Sequence, residues 1–373
     1  MQALVYVANE EMAFRDEAEA TPLAADETLV EIQAVGICGS DMHAYLGHDP
    51  RRVPPLILGH EAAGTVLDGP LSGKRVVINP LITCGHCDPC LDGRQNLCAE
   101  RDLIGMYRPG AFAERVAIPQ RNLIEIPEGM DAALAALTEP AATATHAVNL
   151  AEGALKRPVS EAKALVIGGG SVGLFAALTL AHRGVKDLTL ADTNPLRRTS
   201  AEKTGIAQVI NPIDQPADDS AYDLVIDAVG GKLSRQASCT AVMPGGVIMH
   251  IGLMDNNDGL DIRRITLQEI TFIGTYTYTP LDLRATLAQL HAGALGKLDW
   301  IDERPLSEGG RAFQELHAGI CGAPKVILRP KLIAAFKLFG VNTKSICIDL
   351  LYLQKSGRDP KVPREFFKSL FYL

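Results

Sequence analysis

The chain has 373 residues, a formal net charge of −8 and a sequence pI of about 5.6, so its field repels nucleic-acid backbones and anionic membrane surfaces. That length exceeds one ordinary hydrophobic core and predicts two domains. The first residues, MQALVYVANEEMAFRDE, contain no basic stretch followed by an apolar run and a small-residue cleavage site. A cytoplasmic protein without nucleic-acid or membrane partners is therefore the expectation.

In chain order, residues 1–145 alternate short β-branched runs (LVEIQAVGI, RVVINP, ERVAIP, NLIEIP) with glycine and proline turns, the texture of a small irregular β domain. Cys38 in GICGSDMH and His60 in LGHEAAG can meet only through the fold. Glu61 follows His60, and Glu139 stands in LTEPAATATH just before the pattern changes. One thiolate, one imidazole and one or two carboxylates would make an open metal site, with room for water or a substrate oxygen. Taken singly, Cys38 also reads as a small buried residue and His60 as a hydrogen-bonded turn residue. Ser40 and His43 have side chains able to pass a proton towards solvent.

Within residues 79–105, TCGHCDPCLDGRQNLC places Cys84, Cys87, Cys90 and Cys98 inside fifteen residues. Gly85, Asp88, Pro89 and Gly93 supply the turns that wrap a loop around an ion. Four thiolates at about 2.3 Å close a tetrahedral zinc site and leave no position for substrate. Such a site is structural, and its coordination replaces the apolar core that so short a lobe lacks. A redox dithiol would need only two of the four thiols. His86 reads as a solvent-facing turn residue, and Cys239, Cys321 and Cys347, far from one another, as ordinary buried residues.

From Lys163 the texture becomes apolar runs alternating with helical stretches: ALVI, LTLAD, QVIN, YDLVIDAVG, GGVIMHIGL and ITFIGTY. Six such runs within residues 146–281 predict a doubly wound parallel sheet. The stretch Ala164 to Ala181 is apolar enough to imitate a membrane span. Its three consecutive glycines favour a strand, a tight turn and a buried helix. Gly168, Gly170 and Gly173 fit G-x-G-x-x-G, with Ser171 and Val172 opening the helix, a pattern suited to close approach of a pyrophosphate. LTLAD ends in Asp192, nineteen residues after Gly173, where a carboxylate would bond the adenosine ribose and repel a 2′-phosphate. NAD is thus favoured over NADP, with Arg197 placed to offset part of the repulsion.

Residues 282–330, with LRATLAQLHAG and KVILRP, return to mixed character and are expected to rejoin the first domain. Composition breaks again at residues 331–373, which hold five of the ten Phe and eight basic against three acidic residues. This tail suggests no function; an appended helix, packed on the body or on an oligomer partner, and a segment foreign to the protein are both open readings.

Taken in order, ICGSD, LGHEAAG, the four-cysteine lobe, GAFAERVAIP, TEP and GGGSVG resemble the zinc-containing medium-chain dehydrogenases, from about Met1 to Pro330. Within that family the chain is similar to the polyol branch of sorbitol and L-idonate dehydrogenases. The resemblance implies a two-domain α/β fold, a GroES-like β-rich catalytic domain plus a Rossmann doubly wound parallel sheet, with the active site in the cleft between them. It implies Cys38 and His60 as catalytic zinc ligands, with Glu61 coordinating directly or in alternation with water. Glu139 occupies the position that is cysteine in liver-type alcohol dehydrogenases and glutamate in the polyol branch. Ser40 and His43 correspond to proton-relay positions, and Tyr45 to a wall of the substrate pocket.

The implied reaction is hydride transfer from a secondary alcohol or polyol, a sugar alcohol or aldonate, to NAD, with zinc as the Lewis acid. Two zinc ions per chain and a homodimer or homotetramer, paired edge to edge through ITFIGTYTY, complete the expectations from the family. Two other readings stay open. One is a dehydrogenase of the same fold acting on an amino alcohol or sugar phosphate. The other is an inactive dinucleotide-binding structural or regulatory protein, against which Cys38, Ser40, His43, His60 and Glu139 together argue.

Overall fold

Alternation of inward and outward residues shapes the β-rich part of the chain, which the structure, a computed structural model, describes along with the rest of residues 1–330. The atypical 331–373 segment lies outside the described residues. β1 (Gln2–Ala8) and β2 (Glu11–Asp16) form an antiparallel hairpin. β3 (Glu27–Gly36) buries Val30, Ile32 and Ala34 while Leu29, Glu31 and Gln33 stay partly exposed, the period of an extended strand. β4 (Leu56–Ile57) joins the hairpin, and β5 (Glu61–Val66) and β6 (Arg75–Ile78) continue antiparallel from β3. β7 (Leu81–Ile82) and β8 (Asp102–Leu103) pair at the base of the cysteine lobe. β9 (Arg115–Pro119) lines the first half of β3, and β10 (Leu123–Glu125) pairs with β6.

Beyond the helix Thr138–Ala154, six parallel strands form one sheet. They are β11 (Lys163–Ile167), β12 (Asp187–Ala191), β13 (Gln208–Ile210), β14 (Tyr222–Asp227), β15 (Val242–His250) and β16 (Thr271–Gly274). Their order, β13-β12-β11-β14-β15-β16, is the doubly wound sheet that the six apolar runs predict. Strand order reverses between β11 and β14, and ligands of such sheets bind in the crevice at that point.

The apolar run Ala164 to Ala181 divides into β11, a glycine turn and the helix Ser171–His182. At 12 residues that helix is about 18 Å long, well short of a bilayer core of about 30 Å. Among the described residues no helix is long and apolar enough to cross a membrane.

β17 (Ile301–Pro305) and β18 (Lys325–Arg329) run parallel, and β18 pairs antiparallel with β3, placing Ile327 opposite Gly36. The GroES-like sheet and the doubly wound sheet share one apolar cluster. It runs from Ala34 and Ala63 through Ala141, Ala144 and Val148 of the helix Thr138–Ala154 to Phe175, Leu180 and Leu224. Alanine suits that helix, because a small side chain lets it approach neighbours on several sides.

Candidate active site and metal centres

The lobe gathers its four cysteines as the spacing predicts. Helix Asp88–Leu91 starts directly after Cys87, and Cys90 and Cys98 are buried. All four Sγ atoms lie within 4.8 Å of one another, with Cys84 3.9 Å from Cys90 and 3.6 Å from Cys98. Thiolates bound tetrahedrally to zinc are about 3.8 Å apart, so the residues present fit that ion. Backbone N–H groups of His86 and Cys87 pull the Cys84 thiol down to about 6, towards the thiolate a metal requires. The imidazole of His86 is exposed, its Nδ1 3.0 Å from the Cys84 carbonyl. Only Leu81, Leu103 and Met106 form the local apolar cluster, so little besides a metal can hold this loop.

Cys38 and His60 meet through the register of two strands. β3 pairs with β5 so that Gly36 faces Glu61, which leaves Cys38 two residues beyond one partner and His60 one residue before the other. Ligand atoms of Cys38, His60 and Glu61 lie within 4.8 Å of one another. His60 Nε2 is 3.5 Å from Ser40 Oγ, while Nδ1 is 3.4 Å from Asp41 Oδ1. Asp41, absent from the sequence-based set, is fully buried and accepts hydrogen bonds from the Cys38 N–H at 3.0 Å and the Gly59 N–H at 3.4 Å. It therefore clamps both ligand-bearing turns and aims the His60 ring. Burial opposes charge on His60, yet Asp41 and Cys38 hold it well above its ordinary value.

Glu61 is not free in this arrangement. Lys325 Nζ sits 2.7 and 2.6 Å from its two carboxylate oxygens and donates also to the Ile37 carbonyl at 2.8 Å. Both side chains are at most 1% exposed. Burial alone would lower Lys325, but Glu61 and then Cys38 keep it above its ordinary value. A Cβ at Gly36 would overlap the Glu61 carboxylate, so this pairing needs glycine there. The signal for Lys325 in the sequence is slight, a lysine opening the otherwise apolar strand KVILRP.

Glu139, in the first turn of helix Thr138–Ala154, stands beside this group. Burial pushes its carboxyl up to about 7, with Glu61 adding and His60 and Lys325 opposing. Facing it, the Tyr278 hydroxyl is buried and without a hydrogen bond of ordinary geometry. Donors of this type fit a zinc ion, since sulfur, imidazole and carboxylate are its usual ligands.

The proposed relay residues differ from each other. Ser40 Oγ accepts a hydrogen bond from Arg52 Nη2 at 3.3 Å. His43 is partly buried; burial, then His48, hold its imidazole below the ordinary value. Tyr45 requires a correction. It is 3% exposed with its ring 5.3 Å from that of Phe313, which makes it a core residue rather than a pocket wall.

At the switch point, Gly168 adopts φ 104° and a Cβ at Gly173 would overlap the Gly168 carbonyl, so both positions need glycine. Gly170 caps the helix that Ser171 and Val172 open, and a helix N-terminus after such a glycine turn is suited to a phosphate. Asp192 directly follows the second strand, β12, and its carboxylate accepts from the Gly169 N–H at 2.6 Å and the Asn194 N–H at 2.7 Å. Arg198 donates to the carbonyls of Asp192 and Thr193 at 2.9 and 2.8 Å. Arg197 makes none of these contacts. Cys239 and Cys321 are buried, and Cys347 lies outside the described residues.

Comparison with known proteins agrees with this geometry. The family model "Alcohol dehydrogenase GroES-like domain" matches residues 24–128, and "Zinc-binding dehydrogenase" matches residues 171–292. L-galactonate-5-dehydrogenase of Escherichia coli K12 is 31% identical over 276 residues, 70% of this chain and 79% of that protein. L-threonine 3-dehydrogenase of Yersinia pestis is 28% identical over 346 residues, covering 88% of this chain and 99% of the relative. Among solved structures, an alcohol dehydrogenase of Thermus sp. ATN1 superposes with TM-score 0.76 at 28% identity, covering 88% of this chain and 99% of that one.

Proposed function

Because the chain belongs to the zinc-binding, GroES-like medium-chain dehydrogenases, we propose that it oxidises a secondary hydroxyl of a sugar alcohol or aldonate with NAD. The observation that carries this reading is the convergence of Cys38, His60 and Glu61, with Glu139 beside them and Ser40 within reach of His60. Cys38, His60 and Glu139 would hold a catalytic zinc, with Glu61 in reserve, and Cys84, Cys87, Cys90 and Cys98 a structural one. Bound there, the metal supplies a Lewis acid for the substrate hydroxyl and NAD supplies the hydride acceptor.

The chain's own residues do the remaining work. Asp41, 3.4 Å from His60 Nδ1, is placed to keep the proton on that nitrogen, so that Nε2 would be the ligand nitrogen once a metal is bound. Lys325 balances Glu61, so the charge of that acid is satisfied without a metal. Glu139, whose carboxyl burial pushes up to about 7, would have to be ionised to help hold a cation there. Ser40 takes the substrate hydroxyl proton, and His43, whose burial favours the neutral imidazole, is the base that passes it towards solvent.

Glu139 and the galactonate dehydrogenase relative support a polyhydroxylated substrate. A second reading, an amino alcohol, is favoured by likeness to L-threonine 3-dehydrogenase across 88% of the chain. Purified zinc-loaded protein with NAD, screened against sugar alcohols, aldonates, L-threonine and simple secondary alcohols, separates the two. NADH formation with a polyol or aldonate is expected. Turnover of L-threonine alone overturns the polyol reading, and no NADH with any substrate overturns the activity.

Asp192 supports NAD over NADP, because a second anion would meet its buried carboxylate. Residues 1–145 and 282–330 would form the catalytic domain and 146–281 the dinucleotide domain. β16 is an edge strand and suits edge-to-edge pairing with a second copy, in a homodimer or homotetramer. Seven unpaired cysteines among the described residues suit the reducing cytoplasm.

A further inference from the structure

Arg52 is the most fully engaged buried cation near the site that the roles above leave unused. It is 3% exposed, and its guanidinium spans three segments. Nε donates to the Gly105 carbonyl at 2.9 Å, Nη1 to Asp49 Oδ2 at 2.6 Å and to the Ser40 carbonyl at 3.3 Å, and Nη2 to Ser40 Oγ at 3.3 Å. Gly105 in turn packs on the backbone of Gly59, next to His60. Asp49 does not neutralise this cation alone, because Arg51 also binds it, through Nε at 2.8 Å and Nη2 at 3.0 Å. Two arginines therefore share Asp49, and the fully buried Asp41, next to Ser40, also feels the charge of Arg52.

A guanidinium can only donate, whereas a serine hydroxyl has one proton and two lone pairs. With one lone pair held by Arg52, Ser40 has its proton and its second lone pair left, and both serve the reaction once His60 Nε2, 3.5 Å away, is taken up as a metal ligand. It can take the substrate hydroxyl proton on that lone pair while releasing its own, and ends as neutral as it began.

We propose that Arg52 is a positioning residue of the proton relay, fixing the Ser40 hydroxyl through its guanidinium. This rests on the relay roles given to Ser40 and His43 under the proposed activity.

The test compares Arg52→Met, Arg52→Lys and Arg51→Met in the full zinc-loaded chain, with zinc content and melting temperature recorded for each. Arg51 shares Asp49 but is half exposed and does not reach Ser40, so Arg51→Met reports loss of the Asp49 contact alone. Two readouts are used: kcat and KM for alcohol oxidation, and titration of His43 by NMR in histidine-labelled protein. His43 is assigned from the spectrum of His43→Gln among the nine histidines of the chain. Besides burial, the charges of His48 and Arg52 lower its midpoint and that of Asp49 raises it.

For Arg52→Met, kcat should fall about tenfold or more with KM for NAD unchanged, the scale of losing one aligned proton-transfer group. The His43 midpoint should rise, since a nearby cation has been removed. Arg52→Lys retains the charge, so it should keep the midpoint near wild type and recover part of kcat; it also serves if Arg52→Met does not fold. Active wild type with unaltered kcat and His43 midpoint in Arg52→Met overturns the assignment, as does an equal loss in Arg51→Met. Wild type that forms no NADH with any alcohol instead overturns the activity reading itself.

Discussion

Lys325 and Glu61 form a buried ion pair whose members are worth little without each other. Lys325→Met leaves the Glu61 carboxylate charged and fully enclosed, which costs about 3–5 kcal/mol when one partner of such a pair is removed. Urea denaturation of the metal-free protein should show that loss. The double variant Lys325→Met with Glu61→Gln should regain most of it, because no unpaired charge is left behind. Asp192 is the other residue with a sharp expectation. Replacing it by alanine frees the Gly169 and Asn194 N–H groups and removes the anion that repels a 2′-phosphate. KM for NAD should rise about tenfold while NADP turnover becomes measurable, equivalent to about 1.4 kcal/mol of lost discrimination. Asp192 was legible because it follows a strand-like run at a fixed distance from a glycine turn. Lys325 was not, since a lysine at a strand start is ordinarily solvated and only the packing of β18 on β3 encloses it.

Helix Pro280–His291 shows how a cap becomes a joint between elements. Thr279 and Asp282 close a capping box at its N-terminus, and Asp282 also bonds His146 Nδ1 at 2.8 Å and Asn149 Nδ2 at 2.8 Å on helix Thr138–Ala154. Although burial opposes it, the hydrogen bonds from His146 and Thr279 pull Asp282 from 3.8 down to about 2. A depressed carboxyl stabilises the fold above its unfolded value and ceases to do so as pH falls through its folded one. Asp282→Asn should therefore cost about 2 kcal/mol at neutral pH. The gap from wild type should narrow as pH falls from about 4 towards 2, as denaturation followed across pH will show. The apolar pattern at LRATLAQLHAG marks the helix in the sequence. Its partner does not appear there, because Asp282 and His146 are 136 residues apart and meet only when the two helices pack.

At the scale of the molecule, the two candidate metal centres should fail differently. Cys90→Ser should lower zinc from about two ions per chain to about one and reduce the melting temperature, since coordination replaces a core in that lobe. Cys38→Ser should lose the same amount of zinc and the activity, with a smaller thermal effect, because the surrounding apolar cluster is large. Metal analysis beside thermal unfolding distinguishes them. The four-cysteine lobe, the glycine turn and the six parallel strands were determined by the sequence itself, because each depends on spacing between near neighbours or on the period of a strand. Tertiary structure alone decided that Asp41 aims His60, that Arg52 grips Ser40, that Tyr45 belongs to the core, and that Lys325 reaches Glu61 across 264 residues. Those contacts follow from strand register and close packing, which join distant residues without leaving a repeat in the chain.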